Sequence, residues 1–208
     1  MSTYVLRYFP IKARAETCRA LLSYSGASYT NEAPAWPQEK SNQPFGKLPV
    51  LIETDESGAT FKLSDSLAIE HYLATKYGLM VDSSPQDRAC QDELRHQIKD
   101  IYEFIPQYRF GNEDTRASVK EKLDVQMKYF IEYHENHLKN NGSNGHYFGD
   151  KTTYVDIALV ASMRAVREFG ASIIPGLADW LSPDNAPLIN KVIEVVGADP
   201  KLVKYFNE

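Results

Sequence analysis

Cysteine is nearly absent from this chain: only Cys18 and Cys90 occur in 208 residues. Two thiols exclude the disulfide framework of a small secreted domain, and they exclude a cysteine-based metal cluster. Lys and Arg form no run anywhere, and the net charge is −5. A nucleic-acid partner would need clustered cations, so none is expected. No apolar stretch is long enough to span a bilayer, so no membrane partner is expected either. The opening MSTYVLRYF has neither the basic start nor the apolar core of a signal peptide. The expectation is a protein of the reducing cytoplasm. None of the five histidines stands in an H-E-x-x-H pattern. His134 and His137 lie three apart on a helical pattern with no third ligand, and they read as surface residues, with no metal expected.

Aromatics, by contrast, are plentiful, with 13 Tyr and 9 Phe. Apolar residues at 43% and charged residues at 25% are ordinary for a folded protein. The chain has two textures. In the first half, residues 3–9 read as a short strand. Ala15, Cys18, Leu21 and Leu22 then mark one face of a helix that Gly26 closes. A second strand follows at Ser28 to Glu32, then a loop carrying Pro34, Pro37 and Pro44, which excludes a helix of ordinary length. LPVLIE, DESGA and TFKLS make an antiparallel hairpin over residues 48–64, and Ser66 to Tyr77 is a helix. From Pro85 onward the strands vanish. Helical patterns cover residues 86–109, with a kink expected at Pro106, then 115–138, 187–196 and 200–206. Thr153 with Asp156 three residues on caps a further helix whose run IALVASM is its buried centre. The expected organisation is an α/β domain over residues 1–77 (β-α-β, then β-β-α), a linker at 78–84, and an all-α domain at 85–208.

Three short motifs stand where this order places strand ends. Tyr8-Phe9-Pro10-Ile11-Lys12-Ala13-Arg14-Ala15-Glu16 leaves the first strand. Phe45-Gly46-Lys47-Leu48-Pro49 enters the hairpin, with the bond before Pro49 a candidate for cis. Leu63-Ser64-Asp65-Ser66 enters the last helix of this half, whose free amides and positive dipole end make a carboxylate socket at Ser66. Taken singly, each has a plainer reading. Tyr8 alone is a half-buried strand tyrosine, Trp36 plugs a core edge, and Lys40 and Lys47 are solvated. Ser66 alone is a helix cap and Asp65 a surface acid. Cys18 and Cys90 are small core residues, and Tyr129, Phe130, Tyr133 and Tyr154 pack between helices.

Together, with WPQEK before the second motif, the three resemble the cytosolic glutathione transferases, and most of all the tyrosine-type sigma and pi classes. The resemblance covers the whole chain and implies a thioredoxin-like first domain followed by a helical one. It implies that Tyr8 hydrogen-bonds the glutathione sulfur, with Arg14 beside it lowering the hydroxyl's pKa. Trp36 and Lys40 would hold the glycyl carboxylate, Leu48 ahead of Pro49 the cysteinyl backbone, and Ser66 the γ-glutamyl carboxylate. Asp65 stands where Gln is usual, so it accepts from the γ-glutamyl ammonium and cannot donate. Lys47 replaces a Gln of pi-type members, and Ala13 a usual Gly. Because a cysteine-type relative would carry its thiol where Tyr8 stands, that reading is disfavoured.

The resemblance further implies a homodimer keyed by Phe45, with Asp100 reaching across toward the ammonium. The electrophile pocket would draw on Phe9, Ile11, Tyr108 and Phe110, all of which have core packing as the alternative. Glutathione would act as co-substrate, with no other cofactor. The implied reaction is addition of the glutathione thiolate to small hydrophobic electrophiles. Isomerisation of the prostaglandin D synthase type and a non-catalytic, crystallin-like or carrier role are the alternatives. A free thiol, with pKa about 8.5, is only a few per cent ionised at neutral pH. Lowering it by roughly two units takes about 2.7 kcal/mol, which an O–H···S⁻ bond with a nearby cation supplies.

Overall fold

Four strands pair in the order β2-β1-β3-β4 in the computed structural model, which describes residues 2–207. β1 is Thr3–Arg7, β2 Ser28–Glu32, β3 Val50–Thr54 and β4 Thr60–Ser64. β1 runs parallel to β2 and antiparallel to β3, which is antiparallel to β4. A parallel neighbour requires a crossover, and helix α1 (Glu16–Ser25) supplies it. Cys18, Leu21 and Leu22 are fully buried on α1, and Gly26 ends it at φ 69, a left-handed cap. α2 (Ser66–Lys76) packs beside α1 and completes a mixed-sheet, thioredoxin-like unit. Its core alternates as strands require: Tyr4 and Leu6 point inward on β1, with Leu51 paired opposite Leu6.

The chain divides into two compact units. One extends to Met80 and takes in the chain again from Pro200; the other is Val81–Asp199. The return of the C-terminal segment to the first unit has no local signature in the sequence. It brings the Lys201 ammonium over the Tyr24 ring at 4.5 Å, on α1. Burial and a hydrogen bond with Glu16 push the Tyr205 hydroxyl far above the usual tyrosine pKa.

The second unit is helical: α3 Pro85–Phe110, α4 Glu113–Asn140, α5 Tyr154–Ala165, α6 Leu177–Trp180 and α7 Pro187–Gly197. A short π turn, Val166–Gly170, prolongs α5. This turn and α6 lie where no helix is read in the sequence. α3 carries on past Pro106 to Phe110. α8 (Val203–Asn207) belongs to the returning segment. Every residue of α5 from Tyr154 to Met163 is buried, and the Thr153–Asp156 capping box is present.

Two expectations are corrected in this unit. His134 is fully buried, with Nδ1 2.5 Å from the Tyr147 hydroxyl, and burial drives its pKa down to about 3. His137 is half-buried and bonds the Tyr147 carbonyl through Nε2 at 2.9 Å. Tyr129 and Tyr133 are exposed, at 65% and 45%, while Phe130 and Tyr154 are core as expected.

Candidate active site

Register gathers the three motifs at one end of the sheet. Arg7 pairs with both Glu32 and Val50, and Val50 pairs with Ser64. The residues just beyond these pairs are Tyr8, Pro49 and Asp65, so the first strand's exit, the hairpin's entrance and the approach to α2 are neighbours.

Tyr8 prolongs the β1–β2 ladder by one bond, its N–H donating to the Glu32 carbonyl at 3.0 Å. The side chain is buried at 8% exposure, edge-on to Phe9. Its hydroxyl oxygen accepts the Arg14 backbone N–H at 3.4 Å. A phenol that accepts there keeps its own proton for a third group. Burial raises the hydroxyl's pKa above its ordinary value. The Arg14 amide and the charges of Arg14 and Arg19 oppose the rise without reversing it. Arg14 does pull this pKa down, as expected, but burial outweighs it. At neutral pH the group is a phenol, suited to donate a hydrogen bond and unsuited to act as a base.

Trp36 lies half-buried, 5.5 Å edge-on from Phe9, with a cis bond to Pro37. The Lys40 ammonium stands 5.9 Å from the Trp36 ring centroid. Tyr8, Phe9, Trp36 and Lys40 thus form one continuous wall. The Leu48–Pro49 bond is cis, as the sequence suggested. Lys47 is exposed beside the half-buried Leu48, and Phe45 is 86% exposed at φ 56. The next residue, Gly46, packs on the Lys40 side chain and has φ 59, a conformation in which a side chain would be strained.

At the head of α2 the cap is Asp65, and Ser66 is the first helical residue. Asp65 Oδ1 accepts the N–H groups of Leu67 at 3.0 Å and Ala68 at 3.2 Å. The acid is favoured there by the helix dipole. The socket at Ser66 is accordingly smaller than expected: the residue's own N–H and hydroxyl remain as donors, while the next amides are already satisfied.

Family models match both parts of the chain. The glutathione S-transferase N-terminal domain model covers residues 9–84, and the C-terminal domain model covers residues 99–208. The chain belongs to the glutathione S-transferase family. It is 31% identical to glutathione S-transferase P 2 of Bufo bufo, over 98% of this chain and 92% of that one. It is also 31% identical to the probable glutathione S-transferase 6 of Caenorhabditis elegans, over 84% of this chain and 85% of that one. Among solved structures, monomeric Na-GST-3 from the hookworm Necator americanus aligns with a TM-score of 0.76 at 28% identity. It covers 99% of this chain and 96% of its own.

One residue that supports this candidate site has no place among the sequence expectations. Arg19 is 9% exposed on α1, and its guanidinium donates to the carbonyls of Phe9, Ile11 and Lys12 at 3.0–3.3 Å. It also binds Glu16 at 3.2 Å and Asn31 at 2.9 Å. The loop between Tyr8 and Arg14 is therefore tied down from beneath by one buried cation. The available signal was a Glu16–Arg19 pair, spaced i, i+3, inside an apolar helical face.

Ala13 sits at φ 41, where the transferase resemblance expects Gly. A side chain in the left-handed region costs about 1–2 kcal/mol, and Gly gives back about 0.4–1 through the unfolded chain. Ala13→Gly should therefore raise stability by a few tenths to about 1 kcal/mol. A urea midpoint lower than that of the wild type would contradict this.

Asp100, Tyr108 and Phe110 belong to the helical unit. Asp100 is exposed on α3, Tyr108 half-buried and Phe110 81% exposed. Core packing is thereby ruled out for Phe110. In the first unit Ile11 is 49% exposed and Phe9 half-buried. Among the described residues no helix is long and apolar enough to cross a membrane, and no three His, Cys, Asp or Glu side chains group as a metal site.

Proposed function

We propose that the protein is a cytoplasmic glutathione transferase in which the Tyr8 hydroxyl donates a hydrogen bond to the glutathione sulfur. The observation carrying this reading is a buried phenol at the sheet's end whose oxygen is engaged by Arg14 N–H and whose proton is uncommitted. The thiolate so stabilised attacks a small hydrophobic electrophile. Trp36 and Lys40 take the glycyl carboxylate, and the backbone at Lys47, Leu48 and Pro49 takes the cysteinyl unit. Ser66 takes the γ-glutamyl carboxylate, and the free side of Asp65 takes its ammonium. Phe9, Ile11, Tyr108 and Phe110 are the acceptor contacts. Glutathione is a co-substrate, and the reaction calls on no metal or prosthetic group. Turnover of a chlorodinitroarene with glutathione, together with calorimetric binding of glutathione, tests the reading. Absence of both would overturn it.

The active form we propose is a homodimer. A phenylalanine held 86% exposed at a positive φ satisfies no need of its own chain. Such a side chain is the usual anchor of an interface. The partner subunit's Asp100 is assigned to the γ-glutamyl ammonium. Phe45→Ala should weaken the dimer by about 2–4 kcal/mol and weaken glutathione binding with it, because Lys47 and Leu48 share the loop. Na-GST-3 of Necator americanus is monomeric, so sedimentation at micromolar concentration is the deciding measurement. A fully active monomeric wild type would end the dimer proposal.

A further inference from the structure

The segment from Pro200 onward packs in the first unit, where Leu202 and Phe206 anchor it at 0% and 5% exposure. Tyr205, beside Phe206, lies half-buried, and its hydroxyl is hydrogen-bonded to the Glu16 carboxylate. Tyr29 on β2 and Arg19 on α1 also face that hydroxyl. Burial and the neighbouring carboxylate keep the phenol protonated through the working pH range, so Tyr205 is the donor in this bond.

Glu16 is 4% exposed and opens α1, where the helix dipole favours an acid. Its Oε2 accepts from Arg19 Nη1 at 3.2 Å. The same nitrogen lies 3.0 Å from the Ile11 carbonyl and 3.2 Å from the Lys12 carbonyl. Nη1 carries two protons, so the carboxylate and the two carbonyls compete for them. A carboxylate that already accepts from Tyr205 draws less on Nη1 and leaves its protons to the loop. That loop runs on to Arg14, whose N–H reaches the Tyr8 oxygen at 3.4 Å. The bond is long, so a small displacement of the loop breaks it. The Arg19 guanidinium also stands 5.8 Å from the Tyr8 ring centroid.

We propose that Tyr205 is a positioning residue for the thiol chemistry at Tyr8, acting through Glu16 and Arg19 on the loop of residues 9–14. The proposal rests on the Tyr8 reading above and adds a residue of the returning segment to it. Tyr205 itself touches neither glutathione nor acceptor. Without its hydroxyl, the buried Glu16 carboxylate is short of one donor, which costs free energy. The carboxylate recovers a bond by taking Arg19 Nη1 from the carbonyls of Ile11 and Lys12. The loop then loosens, and the Arg14 N–H draws away from the Tyr8 oxygen. The negative charge of Glu16 is also less compensated beside Tyr8. Both changes disfavour a thiolate at the Tyr8 hydroxyl, so the thiol pKa rises.

The test is Tyr205→Phe in the full-length protein, which keeps the ring and its place 5.4 Å from the Phe206 ring centroid. The thiol of bound glutathione is titrated by the ultraviolet absorbance of its thiolate. The pH dependence of kcat/KM is followed with the chlorodinitroarene. Both titrations should move up by about half a pH unit, equivalent to an about threefold smaller thiolate fraction on the acid side. Glutathione affinity should stay within about twofold. In a Glu16→Gln background the shift should shrink by about half or more, because the two residues act through one bond. A lowered thermal midpoint with both titrations unmoved would overturn the proposal, since Tyr205 would then serve packing alone. So would a full shift that persists in the Glu16→Gln background. A shift produced by Tyr205→Phe but not by Tyr8→Phe would remove Tyr8 from its role and leave Tyr205 acting on the loop. A shift produced by Tyr8→Phe but not by Tyr205→Phe would do the reverse.

Discussion

Tyr8→Phe should lower turnover at neutral pH by about tenfold to a hundredfold while leaving glutathione affinity within a few-fold. The substitution keeps the ring, its edge contact with Phe9 and its burial, and removes only the hydroxyl. That hydroxyl faces Arg14 N–H through its oxygen and nothing else among the described residues through its proton. The contacts proposed for the tripeptide lie elsewhere, so binding should be spared. What is lost is the difference between thiolate and thiol. If the thiol returns to a pKa near 8.5, only a few per cent remains ionised at pH 7.

The pH profile separates this from a general loss of fit. The folded-state pKa of Tyr8 is raised, so the phenol keeps its proton across the working range and adds no limb of its own. The rising limb belongs to the glutathione thiol and should move up by one to two pH units in the variant, at about 1.4 kcal/mol per unit. Raising the pH should recover most of the lost rate. A rate deficit that persists unchanged at pH 9, or an unmoved thiol titration, would remove Tyr8 from the role assigned to it.

What the sequence made legible follows from which forces act locally. β1, the hairpin and the buried face of α1 declare themselves because strand alternation and helical spacing are one-dimensional records of burial. Tyr8, Lys47–Pro49 and Asp65–Ser66 were readable as a set because they sit next to strand and helix ends, which the pattern locates. Arg19 was not, because its burial is sustained by carbonyls seven to ten residues behind it, which the Glu16–Arg19 spacing alone does not encode. Likewise Asp65, rather than Ser66, caps α2: both are good caps, and the choice depends on the unusual φ of 80 that Asp65 adopts. His134 looked polar and therefore exposed. It is inside because the Tyr147 hydroxyl, thirteen residues on, meets its ring. The return of the segment from Pro200 onto α1 is likewise long-range and left no mark in its own residues.

Asp156→Ala should destabilise the helical unit by about 3–5 kcal/mol, a large part of a domain's margin. Asp156 is fully buried and stands at the start of α5, the helix buried along nearly its whole length. One carboxylate oxygen accepts the Thr153 N–H at 2.7 Å and the Thr153 hydroxyl at 2.6 Å. The other accepts the Tyr147 N–H at 2.8 Å, and so ties the loop after α4 to the head of α5. Burial pushes the carboxyl's pKa up, while these three donors pull the other way. Alanine would leave all three without this acceptor, the Tyr147 N–H in a buried position and the two Thr153 donors in a part-buried one, and each orphaned buried donor costs about 1–3 kcal/mol. It would also remove the acid favoured by the helix dipole. Asp156→Asn keeps an acceptor for one partner and should cost roughly half as much. Urea unfolding followed by circular dichroism, with the slope unchanged and the midpoint lowered, is the expected result. A loss under 1 kcal/mol for alanine would mean that neighbouring groups or water replace the carboxylate, and that the capping network does not hold α5 in place.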